Sequence, residues 1–164
     1  MKTLYLLRHA KSSWDNPDLR DYDRPLNSRG KQDAPRMGTW LKDQGIIPDL
    51  ILTSSAKRAL ATAQHFIKAM DIPDTVLQMD ERLYLAAPDE MLSVIAEIDD
   101  NVEALFLVGH NPGLTDLANQ LSEARIDNLP TGGIFAVTFA IQKWSELKPH
   151  NGKFLFFQYP KNLN

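Results

Sequence analysis

Five consecutive apolar residues, Ala104-Leu105-Phe106-Leu107-Val108, break off at Gly109-His110. A run that short and that uniformly apolar suits a strand covered on both faces, which points to a central, parallel strand with helices on either side. Tyr5-Leu6-Leu7 and Asp49-Leu50-Ile51-Leu52-Thr53 repeat the pattern earlier in the chain. Longer amphipathic segments separate these runs and predict helices over Gly30 to Gln44, Ala56 to Met70, Asp89 to Ile98 and Leu114 to Leu121. Pro35 and Gly38 weaken the first of them. Ile134 to Phe139 and Phe154 to Phe157 have no convincing helix between them, so an antiparallel extension of the sheet is expected there. The fold class is therefore α/β, with a mostly parallel central sheet and helices on both faces. The 164 residues suit one domain, 1–164, without a linker or an internal repeat.

Several classes drop out. No apolar run approaches the roughly 20 residues of a membrane span, and Arg8 interrupts the first run too early for a signal peptide. The chain has no cysteine, which fits a reducing compartment, and a cytoplasmic location is expected. A net charge of −3 argues against a nucleic-acid partner. The charge is uneven, however: residues 1–60 carry 11 Lys and Arg against 7 Asp and Glu, and the remainder 7 against 14. That imbalance points to a local positive site for an anion.

Three strand ends supply candidates for such a site. Arg8-His9 follows the first strand, at the carboxyl edge where open α/β sheets bind ligands. Taken alone it is an ordinary exposed pair. Gly109-His110-Asn111-Pro112-Gly113 follows the central strand and leads into a helix, so His110 belongs to the same edge. After the second strand, Thr53-Ser54-Ser55-Ala56-Lys57-Arg58 places Arg58 in the first turn of a helix. A cation there opposes the helix dipole unless an anion sits beside it. Two guanidiniums can grip phosphate oxygens, and two imidazoles can supply a nucleophile and a further donor. Neighbouring arginines would repel a cation and no carboxylate cluster resembles a magnesium site, so no metal is expected, and no cofactor is assigned.

At these residues the chain resembles the histidine phosphatase superfamily, whose members share the three-layer phosphoglycerate mutase-like fold. The likeness rests on Arg8-His9-Ala10, Arg58 and Gly109-His110. It narrows to the small SixA-type phosphohistidine phosphatases through Arg8-His9-Ala10-Lys11-Ser12-Ser13-Trp14, Asp23-Arg24-Pro25-Leu26 with Gly30, Leu83-Tyr84, Gly109-His110-Asn111-Pro112-Gly113 and Pro130-Thr131-Gly132. The resemblance implies that His9 is phosphorylated while Arg8, Arg58 and His110 bind phosphoryl oxygens, with Arg24 and Asn111 added to the substrate site. It also points to Glu81, in Asp80-Glu81-Arg82-Leu83, as the acid that protonates a leaving group, with Asp80 or a structural salt bridge as the alternative. Ala10 stands where the wider superfamily commonly has Gly.

Only 51 residues separate Arg58 from His110, nearly all needed for two helices and a strand. An open site without a lid domain favours a phosphoryl group presented on a protein over a small metabolite that needs enclosure. Together with this openness, the resemblance to SixA-type phosphatases implies phosphohistidine on a signalling or phosphocarrier protein as the substrate. A small-molecule phosphomonoesterase or mutase is the second reading, and a non-catalytic module that docks phosphoproteins the third.

Overall fold

The structure, a computed structural model, describes residues 1–163. In chain order its elements are β1 (Lys2–Arg8), α1 (Ser28–Asp43), β2 (Leu50–Thr53), α2 (Lys57–Met70), β3 (Leu77–Met79), α3 (Pro88–Ala96), β4 (Ala104–Gly109), α4 (Gly113–Leu121), β5 (Ile134–Phe139) and β6 (Gly152–Gln158). One six-stranded sheet runs in the order β3-β2-β4-β1-β5-β6. The first four of these strands are mutually parallel, and β5 pairs antiparallel with both β1 and β6. The apolar run at 104–108 is thus a central parallel strand, and the two late runs extend the sheet antiparallel, as expected. β3 is a three-residue edge strand, too short and too exposed for hydropathy to reveal.

Alternation along the central strands divides the core in two. Leu4, Leu6, Leu105, Leu107, Phe135 and Val137 face α3 and α4, while Tyr5, Leu7, Phe106, Val108 and Ala136 face α1 and α2. The register Leu4↔Leu105 and Leu6↔Leu107 keeps each set on its own side. Three layers result.

Pro35 lies inside α1, which nonetheless continues to Asp43. Ala34, Met37, Gly38 and Leu41 are buried on its inner face. A Cβ on Gly38 would stand 2.9 Å from Ala69 Cβ and 3.2 Å from the Phe66 Cα, so the missing side chain lets α1 and α2 approach closely. Burial along that seam outweighs the helix-propensity penalties of about 1 kcal/mol for Gly and 3 kcal/mol for Pro.

Candidate active site

Register brings three strand ends level. Arg8 pairs with Gly109, and Thr53 with Val108, so His9, Ser54 and His110 leave the sheet side by side. The backbone closes this edge, with the His9 N–H donating to Gly109 O at 3.2 Å and the Ser54 N–H to Val108 O at 2.9 Å. A cavity of about 350 Å³ opens here, lined among others by Arg8, His9, Arg24, Arg58, His110 and Asn111.

His9 is 6% exposed, and its ring orientation is set by its neighbours. Nδ1 lies 2.8 Å from the Ala10 carbonyl oxygen, a partner that only accepts, so Nδ1 carries the proton and donates. The lone pair is then on Nε2, which accepts from Arg58 Nε–H at 3.3 Å. The Ala10 peptide is held in turn by its N–H, which donates to Thr62 Oγ1 at 2.9 Å, while that hydroxyl donates to Arg58 O at 2.8 Å. One threonine on α2 thereby links the backbone beside His9 to the backbone of Arg58. Burial, helped by the charges of Arg58 and Arg8, lowers the His9 pKa to about 3, so the ring is neutral at physiological pH.

His110 is also neutral, lowered to about 4 by burial and the nearby arginines. Its ring lies 5.2 Å from that of His9, and its Nε2 is 2.8 Å from Ser54 Oγ. His110 Nδ1 and Arg8 Nε are buried without a hydrogen-bond partner in the protein. Leaving a buried polar group unpaired costs about 1–3 kcal/mol, and an oxyanion in the cavity would satisfy groups of this kind.

Arg8 Nη1 and Asn111 Nδ2 both donate to Leu129 O, at 3.1 and 2.9 Å. The Asn111 amide is fully engaged, since Nδ2 also donates to Asn128 Oδ1 and Oδ1 accepts from Thr115. Asn111 therefore holds the loop that holds Arg8.

A family model for the histidine phosphatase superfamily (branch 1) matches residues 4–84. An uncharacterized protein of Mycobacterium tuberculosis is 35% identical over 166 residues, spanning 94% of this chain and all of that one. The chain belongs to the histidine phosphatase superfamily. Whole-chain likeness places it among the SixA-type members: a crystal structure assigned as the phosphohistidine phosphatase SixA of Agrobacterium tumefaciens is 31% identical, with a TM-score of 0.79 over 97% of this chain and 98% of that one. The protein histidine phosphatase SixA complexed with tungstate shares the fold, with a TM-score of 0.83 over 99% of each chain at 22% identity.

In this superfamily member Arg58 does have an anion beside it, and that anion is internal. Arg58 Nη2 pairs with Asp21 Oδ2 at 2.9 Å, and Nη1 donates to the Asp21 carbonyl at 2.6 Å. The same carboxylate accepts from Tyr84 Oη and, at 3.0 Å, from Arg24 Nη1. Burial works against its ionisation, but hydrogen bonds from Tyr84 and Arg58 and the charge of Arg58 bring its pKa down to about 2. Arg24 lines the cavity, yet its three nitrogens donate to Ser13 O, Asp21 and Ser12 Oγ, and its guanidinium carbon sits 3.2 Å from the Trp14 ring centre. It buttresses Asp21 more directly than it faces a ligand.

Five of the six sequence candidates besides His9 thus line one cavity: Arg8, Arg24, Arg58, His110 and Asn111. Glu81 does not. It is exposed on the short turn after β3 and is not among the lining residues, while Asp80 is engaged by Arg82 at 2.7 Å. Asp21 takes a place in the cavity that sequence reasoning missed, because its loop has no periodicity and the motif Asp23-Arg24-Pro25-Leu26 begins two residues further on. Thr62 and Ser54 were also missed, each looking like an ordinary helix or turn residue. No three His, Asp or Glu side chains converge as a metal site among the described residues, and no described helix is long and apolar enough to cross a membrane. Membership of this superfamily makes the chain a phosphatase or mutase.

Proposed function

We propose that this chain is a phosphohistidine phosphatase that works through a phosphohistidine at His9 and needs no metal or cofactor, acting on a phosphorylated signalling or phosphocarrier protein. The observation that carries the reading is the tautomer of His9: Nδ1–H is held by the Ala10 carbonyl, and the Nε2 lone pair lies beside Arg58.

Nε2 attacks phosphorus in line, and the bond from phosphorus to the substrate nitrogen breaks as the new P–N bond forms. Substrate imidazole leaves neutral when its other nitrogen carries a proton, so it requires no acid from the enzyme. Phospho-His9 then has the same character, because its Nδ1 keeps a proton against Ala10 O. Water attacks phosphorus, the electron pair returns to Nε2, and phosphate departs. Charge building on the three equatorial oxygens is met by Arg8, Arg58 and a donor from His110, and such fixed donors supply most of the catalysis in phosphoryl transfer. An alkoxide leaving group would need a proton donor. Asp21, the carboxylate in the cavity, is ionised at neutral pH and unsuited to that task. This favours phosphohistidine over a small phosphoester or a mutase reaction.

Rapid quenching with labelled phosphohistidine protein should trap an acid-labile, alkali-stable phosphoenzyme, absent in His9→Ala. Parallel assays with a phosphotyrosine peptide and with alkyl and aryl phosphates rank the leaving groups. Label persisting in His9→Ala removes the nucleophile, and faster turnover of the alkyl phosphate removes the substrate class.

A further inference from the structure

A second hollow, of about 580 Å³, adjoins the first, and Lys11 and Thr131 line both. Its other walls are Arg29 at the start of α1, Pro130, and the carboxyl-terminal residues Tyr159 to Lys161. The hollow is positive. Among the described residues its one carboxylate is Asp33, which is already engaged by Arg29 at 3.1 Å and Arg36 at 3.3 Å. Lys11 and Lys161 are exposed, and neither has a carboxylate partner among the described residues. The phosphoryl chemistry described above uses neither Arg29 nor Lys161.

We propose that this hollow is a specificity subsite for an acidic side chain lying within a few residues of the phosphorylated histidine in the protein substrate, an inference that rests on the phosphoprotein reading. Cations left unpaired in a concave surface focus a positive potential, and on a chain of net charge −3 such a patch is local rather than general. Pro130, Tyr159 and Pro160 give the hollow apolar surface for the stem of a glutamate, and Lys11 and Lys161 give its carboxylate partners. The wall between the two hollows is tied to the catalytic backbone: Gly132 N–H is 3.0 Å from both Arg8 O and His9 O, and Arg8 N–H donates to Gly133 O at 3.0 Å. A substrate segment seated in the second hollow is thereby registered against the residues that receive the phosphoryl group.

The test uses two phosphohistidine peptides that differ only in carrying Glu or Gln beside the phosphorylated residue, with p-nitrophenyl phosphate as a substrate too small to reach the second hollow. The native protein should favour the Glu peptide in kcat/KM by about threefold to tenfold, carried in KM and weakening with salt. Lys161→Glu should bring that ratio to about one while leaving the Gln peptide and p-nitrophenyl phosphate within twofold. Equal turnover of the two peptides by the native protein, or a preference that survives in Lys161→Glu, overturns the proposal. If neither peptide is turned over while p-nitrophenyl phosphate is, the phosphohistidine reading has failed, and binding decides the subsite separately. The His9→Ala protein is then titrated with the unphosphorylated peptides. Amide shifts at Lys11 and Lys161 with the Glu peptide alone sustain the subsite, and their absence overturns it.

Discussion

Of the three hydrogen bonds donated by Arg58, one goes to the Asp21 carboxylate and a second to the Asp21 carbonyl, so the protein holds a carboxylate against the guanidinium that phosphate needs. Sharing the charge weakens the hold on a second anion, and at a separation of several ångströms near a surface the effect is on the order of 1–2 kcal/mol. Asp21→Asn keeps hydrogen-bonding atoms at that position and removes the charge. Inorganic phosphate, read as a competitive inhibitor, should bind about tenfold more tightly to this variant. Weaker binding would mean that Asp21 chiefly orients Arg58. Glu81 allows the opposite kind of prediction. Exposed and outside the cavity lining, it should be dispensable, with Glu81→Gln keeping turnover of both phosphohistidine and an alkyl phosphate within about threefold, the range of ordinary surface substitutions. A loss confined to the alkyl phosphate would restore it as the proton donor. The shared edge of Arg8, His9, Arg58 and His110 was legible in the sequence because each closes or follows a strand whose apolar run marks where it ends. Asp21 was not, because its position depends on contacts with Tyr84, Arg24 and Arg58, and contacts between distant segments leave no local pattern.

The elements themselves were legible where burial is one-sided or complete. α2 spans Lys57–Met70 against an expected Ala56 to Met70, because its buried residues recur at helical spacing. β3 lacked a signal because two of its three residues are exposed at the sheet edge. Less visible still was the coupling between loops. Gly113 opens α4 directly after the His110 loop, and a Cβ there would sit well inside contact distance of the Ala86 carbonyl oxygen and 3.1 Å from Met91 Cε. The obstruction is backbone, which has little room to yield. The 84–87 loop carries Tyr84, whose ring packs edge-on against His110 at 5.4 Å and whose hydroxyl holds Asp21. Gly113→Ala should therefore destabilise the fold by about 1–3 kcal/mol, as overpacking does, and also lower kcat. Urea unfolding measures the first effect and turnover at saturating substrate the second. Destabilisation with unchanged kcat would show that the two loops are packed together without being coupled in function.

Across the whole molecule, the loss of stability in acid follows from keeping two imidazoles neutral and buried, at 6% and 3% exposure. The pKa values of His9 and His110 fall to about 3 and about 4 in the folded protein, against roughly 6.5 in an unfolded chain. Between pH 6.5 and about 4 the unfolded chain therefore binds up to two more protons than the folded one, so stability rises with pH in this window and is lost as pH falls. Each histidine contributes at most about 1.4 kcal/mol per pH unit. The ionised carboxylates act elsewhere. Asp21, with its pKa at about 2, contributes stability that is present above the unfolded carboxyl pKa of roughly 3.9 and is lost only below it. Urea denaturation at pH 7 and pH 5 should show a loss of about 2–4 kcal/mol, concentrated below pH 6.5. His9→Gln combined with His110→Gln should remove most of that slope. The same two shifts keep the His9 lone pair available down to pH 5, so acid weakens the fold before it protonates the nucleophile. A stability profile flat from pH 7 to 5 would mean that both rings titrate as solvated histidines do, and His9 would then be mostly protonated, and useless as a nucleophile, at pH 5.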